Sequence, residues 1–242
     1  MLETFRNAWK IEDLRKRILY TLAIIVIFRA GCAIPVPYID PSVLSGAFGS
    51  ADMLSYLNML SGGALSQCAI FALGVSPYIN ASIIIQLLTV AIPQLEALAR
   101  EGEEGRRKLT KITQYTAGGI ALAMSIGYYF VLRNSAALEY TTGAEGWFSA
   151  FVIILAFTAG AMLITWCGSQ IDEKGVGNGI SLLIFAGIVS RWDSVYNTVV
   201  GMLAKASGGQ PQYYIFLPLL LVLALAVVLF IVVLTNAERR IP

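Results

Sequence analysis

From Tyr213 to Leu234 the chain runs without one charged side chain. A helix needs about 20 apolar residues to cross the hydrocarbon core of a bilayer. At that depth no water is available, so every backbone N–H and C=O must be satisfied inside the segment. Five more runs follow the same rule with varying regularity: Ile18–Pro37, Val75–Ile92, Ile112–Leu132, Trp147–Cys167 and Val176–Ser190. The third, fourth and sixth runs in chain order are long and strong. The second and fifth are irregular. Composition points the same way, since 57% of residues are hydrophobic and 13% are charged, against about 25% charged in a soluble domain. The expected fold class is an all-α polytopic membrane protein of about six spans.

Charge supplies the orientation. Arg6, Lys10, Arg15, Lys16 and Arg17 precede the first run. Arg100, Arg106, Arg107, Lys108 and Lys111 sit between the second and third. Lys174 lies between the fourth and fifth, and Arg239 and Arg240 follow the sixth. About 13 of the 17 basic residues therefore fall on one side, and the positive-inside rule makes that side cytoplasmic. Both ends of the chain are expected there. Residues 1–17 space Phe5, Trp9 and Leu14 among charges, as in an amphipathic helix on an anionic inner leaflet. No cleavable signal peptide is expected, because the first run follows a charged stretch and ends in Pro-x-Pro.

Whole classes of chemistry drop out. The chain has no histidine, which removes Ser-His-Asp triads and His-ligated metals. Cys32, Cys68 and Cys167 lie far apart, in no metal-ligand spacing, and read as small buried hydrophobes. Asp172 and Glu173 are neighbours on a cytoplasmic turn, so they do not share a helix face as an intramembrane acid pair would. Gly175-Val176-Gly177-Asn178-Gly179 is G-x-G-x-G without a Walker lysine, which argues against a nucleotide site. Neither an enzyme nor a cofactor is expected.

Two places break the pattern of plain spans. Asp52–Leu60 is apolar but too short to span, with Asp52 a candidate N-cap. Ser61-Gly62-Gly63 ends it, and Gly74 and Pro77 interrupt the next apolar stretch, Pro77 as an expected kink. Irregular backbone at membrane depth needs protein or a water-filled cavity over it, and a cavity lining is expected here. The fifth run is likewise short and glycine-led. Interrupted helices in an apolar bundle suggest a transporter or a channel. The midplane polar groups Asn80, Ser82, Gln86, Ser125, Thr158 and Ser181 are all neutral, whereas a solute transporter normally places ionisable groups there. Val75, Ile79, Ile180 and Ile184, if they face a path, form an aliphatic constriction that blocks ions by dewetting.

Several longer motifs converge. They are Ile34-Pro35-Val36-Pro37, Asn58-Met59-Leu60-Ser61-Gly62-Gly63-Ala64-Leu65, Phe71-Ala72-Leu73-Gly74-Val75-Ser76-Pro77-Tyr78-Ile79, Ala81-Ser82-Ile83-Ile84-Ile85-Gln86-Leu87-Leu88, Glu101-Gly102-Glu103-Glu104-Gly105-Arg106-Arg107-Lys108 and Gly177-Asn178-Gly179-Ile180-Ser181. In this order the chain resembles the bacterial SecY family, the protein-conducting channel of the Sec translocon. The resemblance implies a channel in the cytoplasmic membrane that passes unfolded secretory proteins across and membrane helices sideways. It implies a plug from Asp52, Met53, Leu54, Tyr56, Leu57, Met59 and Leu60, and a pore ring shared by Val75, Ile79, Ile180 and Ile184. It implies a lateral gate face with Asn80, Ile83, Gln86 and Leu87, and a loop with Arg106, Arg107 and Lys108 that meets the SecA motor or the ribosome. SecE and SecG would accompany it, signal sequences and nascent chains would pass it, and no nucleic acid would touch the membrane domain.

The same resemblance sets the domain expectation. Residues 1–17 would be the surface helix, 18–211 the N-terminal half of an inverted-repeat channel, and 212–242 the sixth span with the start of a cytosolic loop. Family members carry about ten spans in two halves, so this chain reads as a truncated or split half. Val75 stands where the ring commonly has isoleucine. The competing expectation is half of a secondary transporter for a small solute.

Overall fold

The computed structural model describes residues 11–44, 58, 61–207 and 212–236. The plug residues Asp52, Met53, Leu54, Tyr56, Leu57, Met59 and Leu60 lie outside that set, as do residues 1–10 of the surface helix. The chain forms two compact units, one through Ser190 and one from Arg191.

The first unit holds α1 (Glu12–Gly31), the short α2 (Pro41–Leu44), α3 (Ser76–Ala91), α4 (Pro93–Arg100), α5 (Glu103–Asn134), α6 (Gly143–Lys174) and α7 (Gly179–Val189). The second holds α8 (Trp192–Ser207) and α9 (Gln212–Asn236), which touch each other. Among the described residues, extended pairing is limited to two isolated bridges, Pro35 with Ala69 and Ile39 with Leu138. By length and composition α5, α6 and the Tyr214–Asn236 part of α9 can each cross a membrane. These are the three strong runs of the sequence. α3 and α4 would count as a fourth crossing if taken as one element, but they bend by 101° at Ile92. α7 has 11 residues, a length of about 16 Å, well short of a bilayer core of about 30 Å.

The helix ends follow local chemistry. α1 begins at Glu12 rather than Ile18, so Arg15, Lys16 and Arg17 belong to the first helix and not to a separate one. Lys16 pairs with Glu12 at 2.9 Å along it. α1 stops at Gly31 rather than Pro37, because Pro35 has no N–H to offer the Gly31 carbonyl and its ring crowds it. Pro77 sits in the first turn of α3, where a missing N–H costs nothing, so it starts the helix and does not kink it. Pro93 starts α4 in the same way. α5 carries Glu103 and Glu104 in its first turn and Arg133 in its last, in register with the helix dipole. Asp40 accepts the Ser42 amide at 2.9 Å and its hydroxyl at 2.6 Å, and these bonds hold the Asp40 carboxyl below the usual carboxylate range.

α6 is the axis of the first unit, touching α1, α5 and α7, while α3 and α4 lean on α5. Between α1 and α3 runs a non-helical strap, residues 61–75. Most of it is buried in the core of the unit. Leu65, Cys68, Ala72 and Leu73 join one buried cluster with Leu132, Ile153 and Phe157. Ala64, Ala69, Phe71 and Val75 join a second with Phe28, Ile164, Ile171 and Leu183. Helical backbone would satisfy itself, whereas the strap borrows partners. Val36 N donates to the Cys68 carbonyl at 2.9 Å, Ile70 N donates to that of Ile34 at 3.0 Å, and the Tyr128 hydroxyl donates to that of Leu65 at 2.7 Å. α6 passes so close that a Cβ on Gly160 would collide with the Ile70 carbonyl oxygen.

Candidate functional site

Two short helices bring the expected ring residues together. Val75 is the residue before α3, with φ −90° and ψ −1°, and Ile79 lies one turn along. Asn178 caps α7 by accepting the Ser181 amide at 2.9 Å. The Asp172 carboxylate accepts the Gly179 amide at 2.7 Å, so this acid fixes the start of α7 as well as closing α6. Ile180 and Ile184 then lie one turn apart on α7. Val75 belongs to the second cluster, and Ile79, Ile180 and Ile184 pack against it. Val75 is only 4% exposed and acts as its packed base. Ile79, Ile180 and Ile184 are half-buried and cap it.

Glycine lets α7 pack closely on its neighbours. A Cβ on Gly179 would strike the Gly168 carbonyl oxygen, and a Cβ on Gly168 would come 2.5 Å from Ile180 Cδ1. α6 and α7 therefore cross at backbone contact, as small residues allow. Gly62, with φ +67°, brings the strap against α7: a Cβ there would be 3.1 Å from Gly187 Cα.

The expected gate face is an open stripe on α3. Pro77, Ala81 and Ile85 are buried on one side of that helix. Asn80, Ile83, Gln86 and Leu87 are exposed on the other, Ile83 by 50% and Leu87 by 67%. The spacing of 80, 83 and 87 gives one helical face. Gln86 Nε2 donates to Ser82 Oγ at 3.4 Å.

Arg106, Arg107 and Lys108 are exposed, but they occupy the first turns of α5 and not a loop. Gly105 explains the compact tip, since a Cβ there would strike the Leu98 carbonyl oxygen of α4. Lys108 pairs with Glu101 at 3.5 Å and Arg100 with Glu96 at 2.5 Å. Among the described residues Arg106 and Arg107 form no ion pair. The tip thus offers two uncommitted guanidinium groups to an acidic surface.

Sequence reasoning missed the contacts that hold the strap. Asn58 is buried, and its carbonyl accepts the Gly63 amide at 2.8 Å while its side chain accepts the Ser66 amide at 3.0 Å. Arg29 Nη1 donates to the Gly62 carbonyl at 3.2 Å. The available signal was a tyrosine, an asparagine and an arginine in otherwise apolar stretches. Such groups need partners once away from water. The four aliphatic side chains Val75, Ile79, Ile180 and Ile184 hold no titratable group, so what they can do together is exclude water and ions.

Comparison with known proteins gives concordant results. Residues 69–242 match the family model SecY. The chain is 37% identical over 252 residues to the protein translocase subunit SecY of Streptomyces coelicolor, covering 100% of this chain and 56% of that protein. It is 39% identical to that of Corynebacterium glutamicum, covering 98% and 54%, and 39% identical to that of Escherichia coli K12, covering 95% and 51%. The chain thus spans about half the length of these relatives. In fold it is similar to Sec61 in the canine ribosome-channel complex from the endoplasmic reticulum, with a TM-score of 0.60 and 18% identity over 95% of this chain and 49% of that one. A structure described as a protein conducting channel gives a TM-score of 0.55 and 18% identity over 82% and 42%. Motif order, helical architecture and identity over the whole chain agree: this chain belongs to the SecY family.

Proposed function

We propose that this chain builds part of a protein-conducting channel, which passes unfolded secretory polypeptides across the bacterial cytoplasmic membrane and releases membrane helices sideways. The observation that carries this is the packing of Val75, Ile79, Ile180 and Ile184, from the start of α3 and from α7, on one buried cluster beside an exposed stripe on α3. The aliphatic cluster is this chain's share of the pore ring. Asn80, Ile83, Gln86 and Leu87 are its side of the lateral gate, and residues 52–60 are the plug. Both ends of the chain face the cytoplasm, as the basic residues dictate. Arg106 and Arg107 dock a cytosolic partner, the SecA motor or the ribosome, while SecE and SecG brace the assembly. The role involves no covalent chemistry.

The test is site-specific photocross-linking in the assembled translocase with a stalled secretory chain. Probes at Ile79 and Ile184 should capture it, while a probe at Tyr115, exposed on α5, should not. Equal capture at all three, or none at the ring, would defeat the proposal. In sealed vesicles, Ile184→Asn should raise resting ion leak, because a hydrated amide weakens a dewetted seal. An unchanged leak would count against the ring.

A further inference from the structure

The second unit contains a helix that the channel role does not use. α8 separates its side chains cleanly. At 100° per residue Trp192, Val195, Tyr196, Val200 and Leu203 fall within an arc of about 140°, while Asp193, Asn197, Thr198 and Lys205 fill the other side. The five apolar residues are all exposed. Such a face in water carries a standing hydrophobic cost.

What covers it follows from where α8 is tied. α9 is apolar and long enough to cross the bilayer, so its first turn marks a membrane surface. Only residues 208–211 separate Ser207 from Gln212. Even fully extended, they hold the end of α8 within about 18 Å of that turn. A wide apolar arc, with Trp192 and Tyr196 in it, suits the interfacial layer where amphipathic aromatic rings collect. Asp193 and Lys205 balance each other, so no anionic lipid is required.

We propose that α8 lies flat in the leaflet from which α9 enters, with Trp192, Val195, Tyr196, Val200 and Leu203 sunk below the headgroups. The proposal rests on α9 crossing the membrane and is independent of the translocation role. The test places single spin labels in the full chain, reconstituted in phosphatidylcholine vesicles. The three native cysteines are buried. Labels at Tyr196 and Leu203 should show a several-fold higher ratio of oxygen to nickel-chelate collisions than labels at Asn197 and Thr198. Added salt or phosphatidylglycerol should leave that ratio unchanged. Nickel reaching both faces alike would mean a helix free in water and would overturn the proposal. Labels at Tyr196 and Leu203 shielded from both reagents would mean that protein covers the face, and would overturn it too. If a label disturbed the helix, the unlabelled chain would still decide. Brominated phosphatidylcholine should quench an emission component that Trp192→Phe removes, and failure to quench it would refute the inference.

Discussion

Tyr128 and Ser149 are two buried hydroxyl groups with opposite consequences. The Tyr128 hydroxyl donates to the Leu65 carbonyl at 2.7 Å and stacks its ring edge-on to Phe157 at 5.2 Å. Removing it takes from the Leu65 carbonyl the shorter of its two hydrogen bonds, the other coming from the Cys68 amide at 3.2 Å, at a cost of about 0.5–1.5 kcal/mol. Ser149 Oγ is buried and has no hydrogen-bond partner among the described residues. Its removal discards an unmet polar atom. Thermal unfolding in detergent should therefore show Tyr128→Phe melting earlier than the parent chain, and Ser149→Ala melting no earlier. A parent-like Tyr128→Phe would mean that the Cys68 amide alone satisfies the Leu65 carbonyl. The Tyr128 bond was not visible in the amino-acid sequence. Tyr128 and Leu65 are 63 residues apart, and no local pattern pairs them.

At the scale of elements, helix crossings depend on which glycines are occupied by a neighbour. Gly160 and Gly119 both lie inside long helices. A methyl on Gly160 meets the Ile70 carbonyl, whereas one on Gly119 meets nothing within 4 Å. Gly160→Ala should destabilise by about 1–3 kcal/mol through overpacking. Gly119→Ala should be neutral or gain up to about 1 kcal/mol from helix propensity. Denaturation of the two variants side by side would check both signs, and equal behaviour would mean that α6 can slide off the strap. Much at this scale was legible beforehand. The apolar runs inside α5, α6 and α9 were clear because each is long and uncharged. The run Val75–Ile92 met α3 within a residue at either end, because Pro77 and Pro93 punctuate it. The strap was not legible, since its apolar residues carry no period and its backbone partners come from remote segments. The basic tip read as a loop because charge density hid the helical start that Gly102 and Gly105 permit.

At the scale of the whole molecule, the chain spans about half of its relatives, and its exposed surfaces should answer to partners. Reversing Arg106 and Arg107 to Glu should weaken binding of SecA or ribosomes to the assembled translocase severalfold. The effect should be larger at low salt, since added ions screen exposed charges over about 10 Å. Equal affinity before and after reversal would remove the α4–α5 tip from the docking surface. The motif resemblance named Val75, Ile79, Ile180 and Ile184, but no local pattern shows that segments so distant in sequence pack on one buried cluster.

The strap also imposes an order on biosynthesis. Residues 61–75 leave the ribosome long before Tyr128, Gly160 and Gly187, on which they rest. At ordinary elongation speeds Gly160 follows Leu65 by roughly 5 to 20 seconds. During that interval the strap has its own turns and the earlier Arg29, Ile34, Val36 and Asn58 as partners, and hydrocarbon offers nothing to its remaining groups. Its carbonyls must wait in water or against helper protein until α6 has been threaded. The heart of the first unit is thus among its earliest segments made and its last to settle.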